Sequence, residues 1–381
     1  MITRTSSARS RGRRIAGCLV ASLAADCGST PVEPSLFRVA VGGAPGGAFL
    51  GVWVSPTEAS AYLCGGYVGV DPTRVPSGGA GRLVGYREGR FTTLCRTPNV
   101  LWWVFSVEGA AFAVGEGGAV LRYTAARGCE PLEVGGDWPE GPPTFWGVWG
   151  RGANDLYLVG GSAAPTGPRG VLLHYDGARF ERLAVPAAAA EVNLYKVAHG
   201  LGRTIVVGAS GAVFSRTDGA TGWEIDAVPS RDRDDNLFTV ACAPDGAVCA
   251  SVGGAETGRA LLRTGAGWSA LPLSDGLPGL NGVWVENERS LFMVGRNGVT
   301  LRYSGPGAIT GTRLLTGDTF HAVAGSDHLV LAVGGEIGNT DPAQRGTILV
   351  RGASEERFFL DGRAYASTPT GRPAFGGPTG Q

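Results

Sequence analysis

The sequence predicts an all-β chain: a seven-bladed β-propeller of four-stranded antiparallel blades. Three observations carry this. Residues 145–185 hold four short apolar runs separated by turn residues, which is one antiparallel sheet in a single pass. The same grammar returns seven times, 40–52 residues apart, and a four-strand unit at that period is the signature of propeller blades. The runs are also continuously apolar, as in Phe145-Trp146-Gly147-Val148-Trp149. Strands covered on both faces by neighbouring sheets read this way, whereas half-exposed strands alternate.

Each unit has three anchors and a closing strand. The first anchor is a Val in an aromatic-flanked run: Val52, Val104, Val148, Val197, Val240, Val283 and Val323. The second is Val-Gly, with Cys64-Gly65 standing in for it in blade one, where Gly permits a sharp turn or a close backbone approach. The third runs from Leu83 through Leu121, Leu173, Phe214, Leu262 and Leu301 to Leu349. Closing strands are expected at residues such as 90–94, 223–228, 268–273 and 357–360. On this reading residues 357–360 complete blade seven. The candidate strand at residues 36–41 is then left to add an outer strand or to lie across the ring closure.

The ends lie outside the repeat. In the signal segment, residues 1–27, residues 1–14 carry five arginines and no acid and an apolar run follows at residues 15–25, a secretory pattern too short to span a bilayer. Cys27 follows, then Gly28-Ser29-Thr30-Pro31, similar to a lipoprotein signal with Cys27 as the lipidated residue. The alternative is cleavage near Ala25 and release. Residues 28–48 form a tether, residues 49–362 the propeller, and residues 363–381 a Pro/Gly/Ser/Thr tail expected to be disordered. The expected location is the outer membrane or periplasm as a lipoprotein, alternatively secreted, with the lipid as the only membrane contact.

Composition excludes more than it assigns. Lys+Arg and Asp+Glu are both 33, so the net charge is zero and there is no electrostatic footprint for nucleic acid. Lys196 is the sole lysine. Cys242 and Cys249 flank Pro244-Asp245-Gly246, a strong turn signal. In a hairpin they oppose each other, as a disulfide of an exported protein or as two small buried residues. Five cysteines follow Cys27, so at least one thiol is unpaired within the chain.

No motif carries catalysis. His174, His199, His321 and His328 form no zinc-like spacing. The acids of residues 231–236 are interrupted by arginines and read as a solvated loop rather than a calcium site. Gly115-Glu116-Gly117-Gly118 leads into a strand, so it lacks the helix N-terminus of a phosphate site. No metal, no cofactor and no catalytic residue is assigned.

Gly147-Val148-Trp149-Gly150, Asp155-Leu156-Tyr157-Leu158-Val159-Gly160 and Gly170-Val171-Leu172-Leu173-His174-Tyr175-Asp176-Gly177 together resemble the repeat of bacterial BNR/Asp-box propellers. These include Ycf48-like photosystem assembly factors and secreted lipoproteins. The resemblance covers residues 49–360. Ser215-Arg216-Thr217-Asp218-Gly219-Ala220-Thr221-Gly222-Trp223 looks like an eroded Asp box, with Gly222 where Thr usually precedes the Trp. The resemblance implies a non-catalytic binding or scaffolding module at the cell envelope, or an assembly factor for an envelope complex. The enzyme it suggests as an alternative is a glycan-active hydrolase or lyase on a sialidase-like propeller. That family's Arg-Ile-Pro motif is absent and its ring has six blades.

Loop length points to a binding face. From second to third anchor the even blades are uniform, whereas blades one and seven carry the longest inserts, residues 66–82 and 335–346. Insertions on one face of a repeat protein often mark where it binds. Ring closure makes blades one and seven neighbours, so their inserts should stand side by side. The candidate binding residues are Tyr67, Asp71, Arg74, Arg169, Glu336, Asp341 and Arg345, with Val68 and Val70 adding apolar area. The expected partner is a protein or glycan met by a monomeric propeller.

Overall fold

The computed structural model describes residues 36–76, 78–229, 235–313, 317–337, 343–369 and 372–373. Cys27, Asp341 and most of the acidic loop at 231–236 lie outside them, as does nearly all of the tail beyond residue 369.

Seven sheets form a closed ring. The first strands, among them Ala48–Val54, Thr144–Gly152 and Leu280–Asn287, are innermost in their sheets, and each packs against the first strands of both neighbouring blades. The core is correspondingly divided into seven apolar slabs, one between each adjacent pair of blades. Blade three shows why. In its second strand, Asp155–Gly161, Leu156 and Leu158 pack towards blade two while Tyr157 and Val159 pack towards blade four. Side chains alternate between the faces, and both faces are buried, so the run must be apolar throughout.

The second-anchor glycines are required by contact. A Cβ at Gly115, Gly160, Gly253 or Gly334 would overlap the carbonyl oxygen of Val100, Thr144, Asn236 or Thr319 respectively, each just ahead of or at the start of the first strand of the same blade.

The ring closes differently from the sequence expectation. Blade seven consists of Phe320–Gly325, Val330–Gly335 and Arg345–Arg351, and its fourth strand is the N-terminal Arg38–Pro45. That strand runs antiparallel to the third, from Arg38 opposite Val350 to Pro45 opposite Arg345. Arg357–Leu360, expected to complete blade seven, instead pairs in parallel with Arg90–Thr97 on the outer edge of blade one, followed by Arg363–Ala366. The chain leaves blade seven through Gly352, whose φ is +87°. Arg38 then fixes the seam, donating to the carbonyls of Ala353 and Glu355 and to Ser367 Oγ. Two further short strands, Thr368–Pro369 on blade seven and Arg372–Pro373 on blade six, continue this edging. The C-terminal chain thus covers the outer edges of blades one, seven and six in turn, which removes exposed strand edges.

Among the described residues there are two disulfides. Cys242 and Cys249 are paired across the blade-five hairpin, directly opposite in register. Cys95 and Cys129 join the fourth strands of blades one and two. Cys64 is a free, buried thiol.

Candidate functional site

Each first strand carries a β-bulge at the same place, two residues before the anchor Val. A bulge re-aims its side chain, and here the bulged residue of every blade lines the mouth of the central channel. Blades two to five contribute Trp102, Trp146, Tyr195 and Phe238; blades six, seven and one contribute Asn281, His321 and Leu50. All but Leu50 are partly exposed, and all but Trp102, whose neighbour Trp103 is also half-buried, are flanked on both sides by buried strand residues. The cavity they surround measures about 840 Å³.

The aromatic half is continuous. Trp146 and Tyr195 meet edge to face at 5.4 Å between ring centroids, and Tyr195 and Phe238 lie 5.5 Å apart. Trp102 donates from Nε1 to Glu116 Oε1 at 3.3 Å, and burial raises the Glu116 pKa above its ordinary value. The other half is polar: Asn281, Arg296, Asp318, His321 and Glu336. Asn281 Nδ2 donates to the carbonyl of Phe320, and Thr239 Oγ1 donates to the carbonyl of Asn281, which links blades five, six and seven. His321 Nε2 lies 3.2 Å from the Gly335 carbonyl, so that nitrogen carries the proton. Burial pushes its pKa down to about 4, with Arg296 and Lys196 adding repulsion, so the ring is neutral near pH 7.

Lys196 lies beneath the aromatic half. From blade four it reaches past Gly147 of blade three, donates to the carbonyl of Trp146, and places Nζ 4.1 Å from the ring centroid of Trp103 on blade two. Burial pushes its pKa down to about 7, against the opposing influence of Cys64. The Cys64 thiol is itself pushed well up by burial.

The inserts of blades one and seven do stand together. Val68 N donates to Gln344 Oε1 at 3.0 Å, and Gln344 Nε2 donates to Val68 O at 2.7 Å. Val68 and Ile337, one from each insert, pack with Trp102 against Leu50 and Val100, so the joined inserts form one wall of the mouth. Of the residues predicted from sequence, Glu336 lines the mouth. Tyr67 and Val70 are turned inward, each 7% exposed, and contribute packing rather than contact area. Asp71 caps a short turn, accepting from Thr73 N and Oγ1, and both it and Arg74 are exposed. Arg345 is exposed and donates to the Gly43 carbonyl at the seam. Arg169 braces the blade-three insert through Ser162 O and Ala164 O, and lines a separate polar groove of about 660 Å³ beside Trp138 and Arg182.

The sequence expectation missed the ring of bulged residues. Its signal was present: two places before each anchor Val, blades one to seven read Leu, Trp, Trp, Tyr, Phe, Asn and His. A second feature outside the mouth is a pair of His–Asp contacts, His174 Nε2 to Asp155 at 2.8 Å and His199 Nε2 to Asp218 at 3.0 Å, bridged by Arg151. They sit on the tight-turn face opposite the mouth. Among the described residues no group of His, Cys, Asp and Glu is placed to hold a metal ion.

The architecture and the mouth define a seven-bladed propeller with a loop-walled, half-aromatic cavity. The chain is similar in fold to a structure of Ycf48 bound to a D1 peptide, at TM-score 0.55 and 15% identity over 82% of this chain and 95% of that one. It is also similar to Ycf48 from Cyanidioschyzon merolae, at TM-score 0.57 and 12% identity over 82% and 97%. A third similar structure is U3-55K, at TM-score 0.58 and 11% identity over 83% and 99%. No protein-family model matches the sequence, and no curated protein matches it.

Proposed function

We propose that this chain is an exported, lipid-anchored propeller that binds a partner protein, as a non-catalytic scaffold or assembly factor at the cell envelope. The observation that carries the reading is the fused wall of inserts one and seven, tied by the reciprocal Gln344–Val68 bonds. Two loops that differ most from the plain repeat are held as one unit at the channel mouth. Such preorganisation lowers the ordering cost of binding. Asp71, Arg74 and Glu336 supply a polar rim of the kind protein interfaces use. A fold neighbour bound to a peptide supports a protein partner, and the eroded Asp-box pattern supports the BNR-like lineage.

The test is affinity capture from the native envelope. The protein used is one in which both inserts are replaced by the short turn of the even blades. Loss of the partner by a shortened protein that still unfolds cooperatively supports the reading. Full capture by the shortened protein overturns it.

A further inference from the structure

We propose that the channel mouth is a binding site for a neutral oligosaccharide, adjoining the protein-binding wall and sharing Glu336 with it. The argument begins with chemistry that no repeat requires. Only the Val anchor and the Gly are needed to build a blade, yet the bulged position carries aromatic rings on four consecutive blades and hydrogen-bonding side chains on the next two. The cavity is therefore divided into an aromatic half and a polar half. Its volume of about 840 Å³ falls within the ~300–1,000 Å³ of small-molecule sites.

Other ligand classes fit poorly. A purely apolar molecule would displace water from the carboxylates of Asp318 and Glu336 without offering them a hydrogen-bond donor, which is costly. A cation would find rings to stack on, but it would share the mouth with Arg296 and with Lys196 beneath it. An anion would meet Asp318 and Glu336. Asp318 and Glu336 face Arg296, with the partly protonated Lys196 beneath, so the charges of the mouth largely offset one another. A pyranose carries an apolar C–H face and a rim of hydroxyls on one rigid ring, so it can use both halves at once. The neutral imidazole of His321, protonated at Nε2 towards the Gly335 carbonyl, leaves Nδ1 as an acceptor for a hydroxyl.

The experiment titrates the whole chain with maltotriose, cellotriose and chitotriose by calorimetry and by tryptophan fluorescence. Trigalacturonate and choline serve as charged probes. The expected result is saturable binding of at least one neutral trisaccharide. Trp146→Ala and, independently, Phe238→Ala should each weaken it roughly tenfold, as loss of an aromatic anchor does. Ile225→Ala, on the exposed outer edge of blade four, should leave it unchanged. Both mouth variants should still capture the protein partner, so failure of one proposal is distinguishable from failure of the other. If none of the three neutral sugars binds, or only a charged probe binds, the proposal is overturned. The same holds if a folded Trp146→Ala or Phe238→Ala protein binds as tightly as wild type. Thermal midpoints identify which variant is folded, and one folded variant suffices.

Discussion

Lys196 and Trp103 come from blades two apart in the ring, and the ammonium of one lies 4.1 Å from the ring centroid of the other. A Trp face attracts a cation, and the Trp146 carbonyl adds a hydrogen bond, but burial still disfavours the charge. The folded pKa is about 7 against an ordinary 10.5. Between these values the unfolded chain binds more protons than the folded one, so the contribution of Lys196 to stability rises with pH from about 7 to 10.5. Denaturant midpoints at pH 7 and pH 10 should show this rise in wild type and a smaller one in Lys196→Met. Equal slopes for the two proteins would show that Lys196 does not titrate in this window.

His321 has the same sign at lower pH. Its folded pKa of about 4 lies below the ordinary 6.5, so stability is lost as pH falls from 6.5 towards 4 and the unfolded chain takes up the proton. His321→Gln should remove that part of the acid sensitivity, read as the difference in thermal midpoint between pH 7 and pH 4.5. An unchanged acid profile would contradict the assignment.

The disulfides should differ in weight. Cys95–Cys129 encloses a sequence separation of 34 and Cys242–Cys249 one of 7. In the chain-entropy model such loops correspond to about 4 and about 2 kcal/mol. Replacing Cys95 and Cys129 together by alanine should therefore lower the thermal midpoint more than the same change at Cys242 and Cys249. The reverse order would show that local packing, not chain entropy, decides.

The anchor is tested at its cysteine. Cys27→Ser should release the protein from membranes, because stable attachment requires acyl chains on that residue. The wild-type N-terminus should be an acylated Cys27 by mass spectrometry. An unmodified N-terminus near Asp26, with membrane partition retained in the variant, would refute lipidation.

The blades were legible in the sequence because each is covered on both faces by its two neighbours, so the physics of burial repeats with the chain. The Val52, Val148 and Val283 runs are innermost as that logic requires. The seam was less legible, since the strand at Arg38–Pro45 and the strand at Arg357–Leu360 are both short and apolar enough to fill one slot. Only the ties made by Arg38 decide between them. The mouth stayed hidden for a different reason. Trp102 and Trp146 sit in apolar runs and read as core, and strand periodicity alone does not show that a bulge re-aims the residue two places before each anchor Val into the channel. Tyr67 and Val70 erred in the opposite direction: long inserts suggest surface, but an insert held in place must bury something of its own.

The seam also sets the order of assembly. Arg38 is made early, yet one of its partners, Glu355, lies 317 positions later. Until that segment has been made, the first strand has no slot to occupy and the circle stays open. The six other blades can form as they appear, each on a local hairpin scaffold. The final step is then a long-range capture, and closing so large a loop is slow compared with local pairing. Once the latch is set, a nick in any one loop leaves both pieces held by the ring.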